Sequence, residues 1–144
     1  MKRNFRVEHG VEIWKGNKFI DLHNLYILSE IFYSMASSLL TIVFCRNKYP
    51  APQGIVLPSR TVFVFSNLFY LEISNGLLSG NIKQLEEIGY KNPGDSNMDW
   101  LITEDKSKGE DHIVLRFQED EFVRIGCDVV NFTECPSKAI TSWI

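Results

Sequence analysis

Two apolar stretches that alternate around turn signals, residues 61–73 and 112–128, do most to limit what this chain can become. Successive side chains of a strand point to opposite faces, so alternation of this kind reads as half-buried antiparallel sheet. The first stretch is expected to form a hairpin over Val62–Ile73 that turns at Ser66-Asn67. One face gathers Val62, Val64, Phe69, Leu71 and Ile73; the other gathers Phe63, Phe65, Leu68 and Tyr70, with Glu72 its polar member. A hairpin apolar on both faces needs cover on both. A core helix covers one, and a short helix, a long loop, a ligand or a partner chain must cover the other. Phe63, Phe65 and Tyr70 are therefore candidates for an interface or a pocket wall.

The second stretch turns on its register. An odd loop length pairs Ile113 with Cys127, Leu115 with Ile125 and Phe117 with Val123 on one wholly apolar face. An even one mixes Arg124 into that face and sets His112 opposite Cys127, the least poor nucleophile–base pair in the chain. Register follows the hydrophobic pattern, because a one-residue slip inverts every side chain, so the odd register is expected. It makes Cys127 a core thiol and turns His112 outward near Asp128. It also sets Arg116 directly opposite Arg124. Facing like charges are unfavourable unless carboxylates from elsewhere pair with them or they hold an anion or an acidic partner.

The remaining segments complete the expected fold. Val11–Lys15 and Lys18–Leu22 flank Gly16-Asn17, a two-residue hairpin turn that sets Ile13 beside Ile20 and Trp14 beside Phe19. Asn24 reads as the cap of a helix running to about Ser37, since Leu25, Leu28, Phe32, Met35 and Ala36 follow helical spacing. Leu39–Cys45 is apolar on both faces and reads as a central strand. The Pro-rich segment 47–60 is a loop. Ile82, Leu85 and Ile88 suggest a short helix over 82–88 with Gly89 closing it, and a strand is expected around Trp100. The ending Ser137–Ile144, which contains Trp143, either folds back on the core or frays. The expectation is one α+β domain over residues 1–144: a curved, mostly antiparallel sheet of about seven strands around one main helix and one short helix.

Charge is unevenly spread. Residues 1–90 carry nine Lys/Arg and seven Asp/Glu, whereas residues 91–144 carry six and eleven. The formal net charge of −3 disfavours nucleic acid, whose phosphates need a basic footprint. The acidic final third, with Glu119, Asp120 and Glu121 at its centre, suits a basic partner. Cys45, Cys127 and Cys135 are odd in number and lack CxxC spacing, which argues against a disulfide framework and a zinc site. The sequon Asn131-Phe132-Thr133 is read as coincidental beside reduced cysteines. The longest apolar run, Ile31–Cys45, is short for a membrane span and is interrupted by Ser34, Ser37, Ser38 and Thr41. A cytoplasmic location is expected.

No motif names a reaction. The sequence holds no G-x-S-x-G elbow, no phosphate loop and no G-x-G-x-x-G. His9, His23 and His112 are scattered, so no metal or other cofactor is expected. Asp95, Asp99, Glu104 and Asp105 surround Trp100, an arrangement able to bind a sugar or a cation, though a solvated loop explains it as simply. Three functional readings follow. The first is a small interaction or accessory protein, of the inhibitor or antidote kind. It would dock a protein partner, or a second copy of itself, through the acidic C-terminal region or the aromatic sheet face. The candidate residues are Phe63, Phe65, Tyr70, Trp100, Arg116, Glu119, Asp120, Glu121 and Arg124. The second is a small-molecule binding domain with a pocket between the sheet and the 24–37 helix, lined by Phe32, Tyr33, Phe63, Phe65 and Tyr70. The third is an enzyme using Cys127 and His112.

Overall fold

The computed structural model describes residues 1–135. The expectation for the ending Ser137–Ile144 lies outside the described residues. The chain is mostly β. Its strands are β1 Lys2–Arg3, β2 Arg6–Glu8, β3 Glu12–Lys15, β4 Lys18–Asp21, β5 Tyr26–Ser34, β6 Leu39–Arg46, β7 Arg60–Ile73, β8 Leu85–Lys91, β9 His112–Phe117 and β10 Phe122–Cys135. Seven form one large sheet in the order β5-β6-β7-β10-β9-β8, with β1 added to β10 in parallel, and β2-β3-β4 form a small sheet. The large sheet is antiparallel apart from β1 and curves into a half-barrel.

The core lies inside the curve. Phe44, Phe63, Phe65, Ile113, Leu115, Ile125 and Phe132 of the large sheet form one cluster with Val7, Ile13 and Ile20 of the small one. Phe63 sits at its centre, with ring centroids 4.7 Å from Phe132, 5.5 Å from Phe5, 5.9 Å from Phe65 and 6.1 Å from Phe44. The opposite face of β6 and β7 is apolar as well, and buries Val43 and Val62 beside Cys135. Central strands covered on both faces read as continuous apolar runs, as β6 does.

The small sheet follows its sequence. Ile13 pairs with Ile20 and Trp14 with Phe19, whose rings stack at 4.7 Å. The helix expected over 24–37 does not form. Asp21 caps a single turn, α1 Leu22–Leu25, by accepting from the His23 and Asn24 amides, and the chain then enters β5. The short helix expected over 82–88 is likewise replaced by β8, preceded by a 3-10 turn at Asn75–Ser79. The hairpin expected at Ser66-Asn67 is one strand of 14 residues. Asn67 does adopt the left-handed conformation the turn requires, at φ 55°, but β7 keeps its direction.

The β9–β10 hairpin keeps the expected apolar face and shifts along it. Leu115 pairs with Val123 and Ile113 with Ile125, because the loop Gln118–Asp120 has three residues. Arg116 therefore lies opposite Phe122, and Arg124 opposite Val114, not opposite each other. No helix among the described residues is long and apolar enough to cross a membrane.

Candidate functional site

The outward face of β8, β9, β10 and β7 carries most of the chain's polar chemistry. Register sets Lys91 beside His112 and Gly126 beside Tyr70; the next row holds Gly89, Val114, Arg124 and Glu72. The loop of residues 92–101 lies across this face. Gly89 permits the contact with the loop, and Gly126 makes room for Phe69 and His112 on the same face. A Cβ at Gly89 would stand 2.5 Å from Leu101 Cβ, and one at Gly126 would stand 2.7 Å from Phe69 and 2.9 Å from His112.

Three cations hold the loop. Arg124 is buried, and its five N–H donors all have partners. Nε donates to His112 Nδ1 at 2.9 Å. Nη1 donates to Asp95 O at 2.6 Å and Met98 Sδ at 3.7 Å, and Nη2 to the carbonyls of Asn92 at 3.0 Å and Pro93 at 3.4 Å. None is a carboxylate: backbone dipoles solvate the charge. Arg116 donates to Met98 O at 3.0 Å and to Glu87 at 2.7 Å. Lys91 is fully buried, its Nζ 3.2 Å from the Trp100 ring centroid and 3.2 Å from Asp95 Oδ2. A desolvated cation over an indole face is worth about 2 kcal/mol. The Asn97 amide, then Lys91 and Arg124, hold the Asp95 carboxyl below its ordinary range.

Tyr70, Trp100, Arg116 and Arg124 are thus brought together, with Lys91 and His112 added. Arg124 spends all five donors inside the molecule, and Arg116 turns one nitrogen to Met98 O and another to Glu87, so both arginines clamp the loop. Phe63 and Phe65 are core residues stacked on the opposite side of the sheet from Tyr70. They cannot line one pocket with it, and the helix that would have closed that pocket is absent. Glu119 and Asp120 sit exposed at a loop tip, both in the left-handed region at φ 61° and 60°. Glu121 is occupied: it accepts from Ser74 Oγ and, at 3.0 Å, from the Gly76 amide.

His112 lies on the outward face, as expected, but is buried there, and its ring stacks on Tyr70 at 4.5 Å. Because Nδ1 accepts from Arg124, the neutral ring carries its proton on Nε2. Burial, then Arg124, pushes its pKa down, while Asp111 opposes them. A lowered pKa means that the folded state binds fewer protons than the unfolded one. The stability it contributes is complete above the unfolded value of 6.5 and is lost as pH falls through the folded value. His9 shifts the other way, raised by Glu12. The expected result is a urea midpoint that falls from pH 7 to pH 5 in the wild type and falls less in His112→Gln, whose amide oxygen still accepts from Arg124. Equal pH dependence in both would remove His112 as the cause.

Cys127 faces the core, away from His112, and burial pushes its thiol up to about 11. The nucleophile–base pair is therefore not assembled. The acids near Trp100 do not converge either. Glu104 turns to Arg3, the Tyr90 hydroxyl and the Val7 amide, and Asp105 accepts from Thr103. Among the described residues no three His, Cys, Asp or Glu side chains gather as metal ligands.

The exposed apolar surface lies elsewhere. The β5–β6 turn carries Met35, 82% exposed, and Ser38 at its end bonds both the amide and the carbonyl of Leu68. Phe69, 66% exposed, follows at once. Phe32 and Tyr33 lie on β5. Beside β5 runs a groove of about 390 Å³ that includes Ile31, Tyr33, Ile73, Leu77, Leu78 and Ile82. The sequence pointed to Tyr70 for this role and missed Met35, because it placed Met35 and Phe32 on a helix. No family model, curated protein or solved structure matches the chain.

Proposed function

We propose that this chain is a small interaction protein that docks a protein partner. The single observation that supports it is the concentration of exposed large apolar side chains around the β5–β6 turn: Phe32, Tyr33, Met35 and Phe69. Surface of this kind on a small domain marks an interaction site, and aromatic and Met side chains are what interface centres favour. The polar cluster on β8–β10 argues for the same reading by what it lacks, since its cations are spent on the chain's own loop. The acidic tip at Glu119 and Asp120 adds electrostatic steering toward a basic surface.

The test is native mass spectrometry of tagged protein purified from its own host, followed by binding kinetics with the retained partner. Met35→Asp and Phe69→Asp are expected to weaken binding at least tenfold. Glu119→Lys with Asp120→Lys is expected to slow association several-fold at low salt and leave dissociation unchanged; Glu121 is spared because it caps the 75–79 turn. Full binding by both Asp variants would sink the apolar docking surface. Unchanged association in the Lys double variant would remove the electrostatic part alone.

A further inference from the structure

The two outer edges of the large sheet are treated differently. The β8 edge is sealed by the chain: Tyr90 and Ile102 exchange backbone hydrogen bonds at 2.9 and 2.8 Å, and the Ile88 amide donates to Gly10 O at 2.6 Å. The β5 edge is sealed at its start, where the Leu28 amide donates to Lys83 O at 2.8 Å. Beyond that point β5 is the last strand of the sheet, and among the described residues nothing pairs with the free side of 29–34. An extended strand directs alternate backbone N–H and C=O groups to each side, so this edge carries a row of them awaiting partners.

We infer that an extended segment of the partner adds as a strand to β5 along residues 29–34 and lies in the groove between β5 and Leu77–Lys83. This rests on the docking reading above and names the partner's chemistry at that surface. Three features select a single extended segment over a second folded copy. The groove has two walls, β5 on one side and Leu77, Leu78 and Ile82 on the other, which suits one strand better than a whole sheet edge. The open edge is six residues long, about 20 Å at 3.4 Å per residue. The groove lies on one face of that edge and is mostly apolar, with Ser29, Glu30 and Lys83 as its polar members. An added strand would therefore place every second side chain against Ile31, Tyr33, Leu77 and Ile82, with Glu30 at the groove within reach of it. The segment expected is about five to seven residues long, as the open edge allows, apolar at alternate positions, with Lys or Arg favoured beside Glu30. Main-chain hydrogen bonds would supply affinity, and the alternate apolar positions specificity.

The probe is a phage-displayed library of random seven-residue peptides selected on the immobilised full-length protein. Enriched peptides are then measured against the wild type, Tyr33→Lys, Leu78→Lys and Phe69→Asp. Tyr33 is 50% and Leu78 79% exposed, so neither substitution removes core packing, and unchanged thermal unfolding verifies this. The expected result is enrichment of alternating apolar peptides that bind wild type and Phe69→Asp alike. They should bind Tyr33→Lys and Leu78→Lys at least tenfold more weakly and slow hydrogen exchange of amides in 29–34. No enrichment, or protection confined to other segments, would overturn the inference. So would concentration-dependent protection of 29–34 without peptide, which would give the edge to a second copy. A host partner lost by Phe69→Asp but retained by Tyr33→Lys would overturn strand addition while leaving the docking reading intact. Retention by Met35→Asp and Phe69→Asp would do the reverse.

Discussion

Arg124→Met should lower the free energy of unfolding by about 3–5 kcal/mol, with the loss concentrated at the 92–101 loop. The reasoning runs from the partners. Removing the guanidinium leaves the carbonyls of Pro93 and Asp95 and His112 Nδ1 without this donor, while the Asn92 carbonyl keeps only the Asp95 amide. Each unsatisfied buried acceptor costs about 1–3 kcal/mol, moderated where water reaches it. Lys91 and Arg116 still hold the loop, so it should loosen rather than leave. Urea unfolding gives the magnitude, and hydrogen exchange should show amides of 92–101 exchanging faster than those of β7. Arg124→Lys should recover only part, because one ammonium cannot span acceptors that a planar fork reaches together. A loss under about 1 kcal/mol would mean that the loop is held without Arg124.

Phe63→Ala should be comparably damaging, again about 3–5 kcal/mol. Its ring meets Phe5, Phe44, Phe65 and Phe132, so one truncation opens a void bordered by four aromatic rings. Strands fixed by hydrogen bonds on either side cannot collapse into it, which puts the cost toward the upper end of the range. Phe63→Leu fills part of the space and should cost about 1–2 kcal/mol. Phe32→Ser, on the exposed edge, should cost less than about 1 kcal/mol. That ordering in chemical denaturation separates the aromatic residues that build the fold from those left at its surface. A Phe63→Ala loss no larger than that of Phe32→Ser would contradict the assignment of Phe63 to the core.

Much of the sheet was legible because alternation reports it directly. The β3–β4 hairpin was read with its register, β6 was read as central from its two apolar faces, and the shared face of Ile113, Leu115, Val123 and Ile125 was read from hydrophobic matching. The two helix readings failed for one physical reason. β5 contains a bulge between Leu28 and Glu30, and β8 contains one between Leu85 and Glu87. An extra residue shifts the strand's phase, so the inward positions step from Leu28 to Ile31 and from Leu85 to Ile88. A step of three inside a run of two is what a helix shows. The third bulge, opposite Gly126 and Cys127, puts Phe69 and Tyr70 together against His112. The site was half legible. Tyr70, Trp100, Arg116 and Arg124 could be picked out as unusual, but that the arginines clamp the molecule's own backbone depends on where residues 92–98 cross the sheet. Lys91 carried no local sign of burial.

The position of β1 has a consequence for synthesis. Lys2 and Arg3 pair with Val129 and Val130, so their place in the sheet cannot exist until the ribosome has made β10. At about 5–20 residues per second the N-terminus waits several seconds or longer for its neighbour. During that wait β5, β6 and β7 can assemble as a meander whose 14-residue β7 edge, destined for β10, is open. A long uncovered edge is what chaperones protect and what aggregation exploits. This chain should therefore be most vulnerable just before β10 is made, and a ribosome stalled before residue 122 would hold it there.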